Sequence, residues 1–319
     1  MVLVFVEHAE GEPDELSLQA LALARGYAGD APVAALAIGP GAAGTAPALG
    51  EHGVAAVHAA ALDGGYAPQA WGRAVTELVA RLEPAAVVAA GTDRGNEVLA
   101  HAAVMTGSAL AANCIHATPG DPAAVTRMRW GGSLLEEARV HGSVKLLTVA
   151  PHAVAIEPAP AGAPAVEEFA PELHDEDLVV RVSERVDTST GGPSLAESPV
   201  VVSGGRGVGS SEGFGALEEL AGLLGGVVGC SRAVTSAGWR PHTDQVGQTG
   251  TKISPELYIP CGISGATQHM AGCKGAKKIL AINADPEAPI LASADYAVVG
   301  DLSEIVPAIT AELRRAREA

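Results

Sequence analysis

A glycine-rich stretch, SGGRGVGSSEG (203–213), follows an apolar run and precedes a segment with helical spacing. Glycine permits close backbone approach, and the first turn of a helix has unpaired N–H groups that can bind phosphate. As a dinucleotide fingerprint the stretch is incomplete, because Ser210 replaces the third glycine and no acid stands near Cys230. A tight strand-to-helix turn explains it as well as an anion site does. Arg206 within the turn favours a phosphate contact.

A second stretch, 245–272, places polar side chains and glycines on both sides of an apolar run. Ligands bind at the carboxyl ends of strands in open α/β sheets, so these side chains predict contacts to a wide, planar, polar ligand. Ser264 is predicted as the N-cap of a helix, with N–H groups from Gly265 to Thr267 facing outward. A lone histidine is more often structural, but the surroundings of His269 favour a functional role.

Two polar residues, Asn283 and Asp301, each end an apolar run near the carboxyl terminus. Asn and Asp at such positions commonly only cap turns. Two of them at one sheet edge indicate contacts to ribose or adenine. No nucleophile with its base, carboxylate dyad or metal cluster is recognisable beside them.

The elements that must position these residues form two α/β series. In the first, apolar runs at 2–8, 33–39, 54–60 and 85–91 alternate with helical spacing, as over 69–82. Such alternation predicts a mostly parallel sheet covered by helices on both faces. Three extended segments predict further strands of the same domain: VTRMRW (125–130), SVKLLTVAP (143–151) and LVVRVSERV (178–186).

A proline-rich acidic stretch, 151–177, cannot be one regular element and is expected to be a surface loop. DTSTGGPSLAESP (187–199) has the composition of an interdomain linker. From Pro199 a second series of apolar runs and helices begins, with a first helix expected over 211–224. We therefore predict two Rossmann-like α/β domains, 1–190 and 191–319.

The composition excludes several classes of protein. The 319 residues carry a formal net charge of −17, which opposes nucleic-acid binding. No apolar stretch reaches the ~20 residues of a membrane span, and the first residues lack a basic signal-peptide region, so we expect a cytoplasmic protein without membrane insertion. The scattered cysteines form no C-x-x-C pair, which indicates buried thiols rather than zinc ligands or disulfides: Cys114, Cys230, Cys261 and Cys273.

The motifs of the second half occur in an order typical of one family: GRG, GCSRA, QVGQTG, ISGATQHMAG, AINADPEAPI and VGDL. Over residues 200–310 the chain resembles electron transfer flavoprotein alpha subunits, with weaker motifs in GTDRGNEVLAHAA and TRMRWGGSLLEE. The resemblance implies a heterodimer in which the second domain of the alpha subunit binds FAD. It also implies a beta subunit with its own nucleotide, commonly AMP. The sequence departs from the family at Ser236, at Ala284 and before Pro151.

The resemblance also implies roles for individual residues. Arg206 and Ser231 would touch the FAD, and Arg232 would lie beside its ring, where positive charge favours the reduced, anionic flavin. Thr249 would bond near N5 and His269 would face the pyrimidine carbonyl edge, so these two tune the potential together with Arg232, and no residue is catalytic. The expected FAD contacts are Arg206, Ser231, Arg232, Gln245, Val246, Gly247, Gln248, Thr249, Ser264, Gly265, Ala266, Thr267, Gln268, His269, Asn283, Asp301 and Leu302.

The function that the resemblance implies is electron transport rather than enzymatic catalysis. The FAD would accept electrons from flavin dehydrogenases, such as the acyl-CoA dehydrogenases of fatty acid beta-oxidation, and pass them to a quinone reductase or another acceptor. An alternative is an electron-bifurcating, NADH-oxidising complex with a second FAD in the beta subunit. A nucleotide-binding module without a redox role is a third hypothesis, because a fold does not fix a function.

Overall fold

The computed structural model describes residues 1–62, 64–130, 132, 134–184 and 194–318. The chain divides into two compact units, Met1–Val186 and Asp187–Ala319. The proposed domain boundary at 190/191, and most of the linker 187–199, lie outside the described residues and stay predictions. Each unit has the predicted architecture, a mostly parallel sheet flanked by helices.

The first unit contains most of the strands. They are β1 (Val2–Val6), β2 (His8–Ala9), β3 (Glu12–Pro13), β4 (Val33–Ile38), β5 (Val54–Ala60), β6 (Ala86–Ala90), β7 (Leu110–Thr118), β8 (Ala123–Arg129), β9 (Leu134–Val140), β10 (Lys145–Val149) and β11 (Ala165–Phe169). Its α-helices are α1 (Glu15–Ala28), α2 (Ala46–Gly50), α3 (Pro68–Leu82) and α4 (Asp93–Thr106), and 3-10 turns cover Ala42–Thr45 and Asp175–Leu178.

Among the described residues, nine strands form the sheet of the first unit, in the order β11-β5-β4-β1-β6-β10-β7-β8-β9. The strands from β11 to β7 run parallel, and β8 and β9 add an antiparallel hairpin. Central strand β1 is buried on both faces: Val2, Val4 and Val6 pack with α1, whereas Leu3 and Phe5 pack with α3 and α4. Burial on both faces explains why the strand is continuously apolar in sequence.

Two predictions for residues 151–186 were wrong. The described part of 178–186 forms no strand, because Leu178 ends a 3-10 turn and residues 179–184 continue as loop. Conversely, the proline-rich stretch contains β11, which pairs in parallel with β5. Pro164 and Pro171 flank β11 and cannot donate a backbone hydrogen bond, which suits a strand at the edge of the sheet.

The second unit is a smaller doubly wound domain. Its strands are β12 (Val200–Gly204), β13 (Val227–Cys230), β14 (Leu257–Cys261), β15 (Leu280–Asn283) and β16 (Tyr296–Val299). Its α-helices are α5 (Phe214–Leu224), α6 (Arg232–Ser236), α7 (Thr267–Cys273), α8 (Pro289–Ala292) and α9 (Leu302–Glu318), and 3-10 turns cover Arg206–Val208 and His242–Asp244. Within the described range no helix is long and apolar enough to cross a membrane.

Over residues 194–318 the second sheet has five strands, all parallel, in the order β13-β12-β14-β15-β16. Val202 faces the layer of α5 and α9, and its neighbour Val201 faces the layer of α7 and α8. The chain crosses from β12 to β13 on one side and later returns to β14 on the other. The carboxyl ends of β12 and β14 therefore form the topological switch point of this sheet.

Candidate functional site

A cavity of about 400 Å³ lies at the carboxyl edge of the second sheet. Its walls come from the segments that follow β12, β13, β14 and β15, and from the loop 245–249. Its volume falls within the ~300–1,000 Å³ that small-molecule sites occupy. The cavity thus lies where an open α/β sheet is expected to bind its ligand.

Most of the residues predicted as FAD contacts line this cavity: Arg206, Ser231, Arg232, Gln245, Val246, Gly247, Gln248, Thr249, Ser264, Ala266, Gln268, His269 and Asn283. The wall does not include Gly265, Thr267, Asp301 or Leu302. Sequence reasoning missed other members of the wall, although several belong to the same motifs: Gly207, Ala233, Gly262, Ile263, Asp285 and Ala288. Contact of any of these residues with FAD stays a prediction.

Two glycines of the turn after β12 bond through their N–H groups to neighbouring backbone. Gly205 N donates to Cys261 O at 2.9 Å, and Gly207 N donates to Gly262 O at 3.2 Å. A Cβ on Gly205 would lie 2.1 Å from Gly262 O, so the two segments can approach only because glycine lacks this atom. Helix α5 begins only at Phe214. These glycines therefore serve the fold, and the phosphate interpretation rests on Arg206.

Two arginines bring positive charge to the cavity of an acidic protein. Arg206 and Arg232 are exposed in its wall, and in the described part of the chain neither guanidinium has an ion-pair or hydrogen-bond partner. Neighbouring Arg240, in contrast, is bound by Glu218 and Asp244. Guanidinium groups recognise phosphate and carboxylate through paired hydrogen bonds. The two unpaired arginines therefore suit an anionic ligand.

Gln245 holds the side of the cavity together through both ends of its amide. Its Oε1 accepts a hydrogen bond from Thr235 Oγ1 at 2.7 Å, and its Nε2 donates to Thr249 Oγ1 at 3.1 Å. Only 2% of the residue is exposed. Because Thr249 Oγ1 accepts from Gln245, its own hydrogen remains for donation to a ligand. Gln245 thereby orients the hydroxyl of Thr249.

His269 contributes a neutral imidazole to the wall. Burial lowers the pKa of His269 to about 4, against the opposing effect of the Val246 carbonyl. Its Nε2 lies 2.7 Å from the Tyr258 hydroxyl oxygen, whereas buried Nδ1 has no hydrogen-bond partner among the described residues. A buried polar atom without a partner is costly, so Nδ1 marks a place where a ligand atom can contribute.

Two other polar residues that were predicted to contact FAD, Asn283 and Asp301, make local structural hydrogen bonds. Asn283 Nδ2 donates to Ile263 O at 2.8 Å, and its Oδ1 accepts from Asp285 N at 3.0 Å. Asp301 accepts from Ser303 N at 2.8 Å, at the start of α9. The prediction of Ser264 as an N-cap was wrong, because α7 begins at Thr267 and no side chain caps it. Asn283 and Asp301 thus act as turn-capping residues in this structure.

The described residues contain no group of three or more His, Cys, Asp or Glu side chains able to hold a metal ion. All four cysteines are buried and unpaired. Burial raises the pKa of the Cys261 thiol to about 12, which keeps it protonated.

Comparisons with known proteins identify two matching domains. The family model described as the electron transfer flavoprotein domain matches residues 2–174, and the one described as the electron transfer flavoprotein FAD-binding domain matches residues 194–274. An electron transfer flavoprotein subunit alpha of Mycobacterium leprae is 38% identical over 97% of this chain and 96% of its own length. The same-named proteins of Mycobacterium tuberculosis and Bacillus subtilis are 38% and 33% identical, each over 98% of this chain and over 98% and 97% of their own lengths. The chain therefore belongs to the electron transfer flavoprotein alpha subunit family.

Proposed function

We propose that this chain binds FAD in the cavity of its second unit and, through it, transfers electrons between a flavin dehydrogenase and a quinone reductase or another acceptor. The observation that carries the proposal is a cavity at the switch point in which two arginines and one imidazole nitrogen have no partner among the described residues. The family model that matches residues 194–274 is described as FAD-binding, which supports the choice of ligand.

The residues present fit the chemical groups of FAD. The diphosphate requires positive charge, and Arg206 supplies it, with no acidic partner of its own among the described residues. The ring edge requires donors to its carbonyl and nitrogen atoms, and Thr249 and His269 have hydrogens or nitrogens left for this purpose. When bound, FAD supplies one- and two-electron redox chemistry.

The protein's own contribution is to bind the FAD, to orient the groups that contact it and to tune its redox potential. Arg232 places a positive charge that favours a ligand that becomes more negative on reduction. Gln245 orients the Thr249 hydroxyl as a donor, and buried His269 remains uncharged near neutral pH. We propose that the chain is an electron carrier rather than an enzyme, which the name of its relatives supports.

The wider assembly is also part of the proposal. We infer a heterodimer with a beta subunit that carries AMP, working in the cytoplasm with dehydrogenases such as those of fatty acid beta-oxidation. The relatives named as alpha subunits support the existence of a second subunit.

The test is to purify the full chain together with its beta-type subunit and to extract and quantify the nucleotides. One FAD and one AMP per heterodimer are expected. Two FADs would replace the simple carrier with a bifurcating complex, and absence of flavin would refute FAD binding by this chain.

Arg232 allows a sharper test of the electrostatic role. Arg232→Ala is expected to lower the midpoint potential of the bound flavin, whereas Arg232→Lys retains the charge and most of the potential. Spectroelectrochemical titration of both variants measures the difference. Equal potentials for wild type and Arg232→Ala would contradict the assigned role.

A further inference from the structure

Gly272 lies inside helix α7 and is buried, although it is not part of the cavity wall. Helix interiors favour alanine over glycine, and Gly272 does not have the positive φ that would exclude alanine. The loop 245–249 excludes it instead. A Cβ on Gly272 would lie 2.3 Å from Gly247 N and 2.4 Å from Gly247 Cα. Two backbone segments thus touch directly because both positions are glycine.

Two hydrogen bonds hold this part of the chain to α7. Gln248 N donates to Gln268 O at 2.7 Å, and Ile253 N donates to Gly272 O at 2.7 Å. Ile253 is only 1% exposed, so the second bond is anchored in the core of the unit. The protein's own backbone therefore sets the spacing between the loop and the helix.

The loop and the helix each carry a hydrogen-bonding group of the cavity wall. Thr249, whose hydroxyl is oriented by Gln245, belongs to the loop, and His269 belongs to α7. An alanine at position 272 would need about 1 Å more room, because ordinary contacts of a Cβ begin at 3.4 Å. Hydrogen-bond distances span only about 0.5 Å, so a shift of about 1 Å removes a contact. The glycine contact therefore determines whether one ligand can meet both groups.

We propose that Gly272 is a positioning residue, which sets the spacing between the loop 245–249 and helix α7 so that Thr249 and His269 contact the same bound ligand. The proposal rests on the FAD site proposed above. Gly272 touches no ligand and acts only through Gly247. Groups that contact a ligand must be held within about 0.5 Å of the productive geometry, and close packing of the backbone behind them does so.

Gly272→Ala tests the spacing directly. In the full chain purified with its beta-type subunit, we expect this change to raise the Kd for FAD by about tenfold, the ratio equivalent to one net hydrogen bond. The midpoint potential of the bound flavin should fall, because the Thr249 hydroxyl would no longer stabilise a ring that gains negative charge on reduction. Fluorescence titration measures the Kd, and spectroelectrochemical titration measures the potential. A folded Gly272→Ala protein with wild-type values of both would overturn the proposal, even if its unfolding midpoint fell.

Gly226→Ala is the matched control. Its Cβ would lie 2.3 Å from Val200 O, so it introduces a comparable clash into the same unit, but at the amino end of β12 and outside the cavity wall. It should lower the free energy of unfolding in urea and leave the Kd for FAD and the flavin potential unchanged. Equal changes of Kd and potential in the two variants would mean that lost stability, not spacing, weakens FAD binding, and the proposal would be wrong.

Wild-type protein provides a test that needs no substitution. If the glycine contact sets the spacing, the amides of Gln248 and Ile253 are hydrogen-bonded before FAD binds, and they exchange slowly with D₂O in the complex stripped of flavin. Free exchange at either amide until FAD is added would show that the ligand orders the loop, which contradicts the proposal. Absence of flavin in the wild-type complex would refute the proposed function instead, whereas bound FAD with unaltered Kd and potential in Gly272→Ala would refute only the role of Gly272.

Discussion

Gln245→Leu removes both hydrogen bonds of the buried amide while keeping a side chain of similar size. Each net hydrogen bond contributes about 1 kcal/mol to stability. Thr235 is half-buried and Thr249 is exposed, so water can rehydrate their hydroxyls and the penalty for losing the amide stays small. We therefore expect the free energy of unfolding to fall by about 1–2 kcal/mol. Freeing the Thr249 hydroxyl should also raise the Kd for FAD, by up to about tenfold.

Urea denaturation of the full chain measures the stability change, and fluorescence titration with FAD measures the affinity. Gln248→Leu is the control for stability, because this neighbouring glutamine is exposed and such surface changes stay within about 0.5 kcal/mol. If Gln245→Leu matched wild type within that margin and bound FAD equally well, the amide would neither support the loop nor orient Thr249.

Three further outcomes are expected. The folded pKa of His269, about 4, lies below its unfolded value of 6.5. The contribution of His269 to stability is therefore complete above pH 6.5 and is lost as the pH falls toward 4. Urea titrations at several pH values should show this decline in wild type and a flatter curve in His269→Asn. Burial, opposed by Thr92 and Arg94, raises the folded pKa of Glu7 above 4.5, so the protein loses stability as the pH rises through the folded pKa. In the same urea titrations, Glu7→Gln should be more stable than wild type at pH 7 and should lose this advantage below pH 4.5. Gly262→Ala should destabilise the second unit by about 1–3 kcal/mol in urea denaturation, because Gly262 has a φ of +62° and the added Cβ would lie only 2.7 Å from backbone. The control is Gly215→Ala in helix α5, where the added Cβ meets nothing within 4 Å and should stabilise the protein by about 0.5–1 kcal/mol.

The parallel core was predictable because its strands are buried on both faces. Every residue of β4 is buried, and such a run leaves a continuous apolar signal in the sequence. Strand β11 gives no such signal, since its residues are mostly exposed and two glutamates occupy its centre. It is a strand because β5 supplies a pairing partner, which depends on the sheet and not on local sequence. The opposite holds for LVVRV (178–182). Its residues favour a strand, but among the described residues no neighbouring strand pairs with it.

The position of the site was predictable in the same way, because polar residues interrupt the sequence where parallel strands end. The connections between side chains were not. Tyr258 is part of an apolar strand motif, and only the packing of α7 against β14 brings His269 to its hydroxyl. The motif around Gln245 predicts a ligand contact, but Thr235, ten residues earlier, donates a hydrogen bond to its amide oxygen. Long-range pairing decides which polar groups remain available for a ligand.

This distinction determines which variants can test ligand contacts. Gly205 and Gly262 are needed because two backbone segments cross at contact distance, so replacing either one distorts the cavity through the fold. Loss of FAD in a glycine variant would therefore not demonstrate a phosphate contact. Arg206 is exposed and has no partner in the described part of the chain, so Arg206→Ala removes charge and leaves the packing unchanged. Weaker FAD binding at unaltered stability in that variant would identify the phosphate contact, which no glycine substitution in this turn can do.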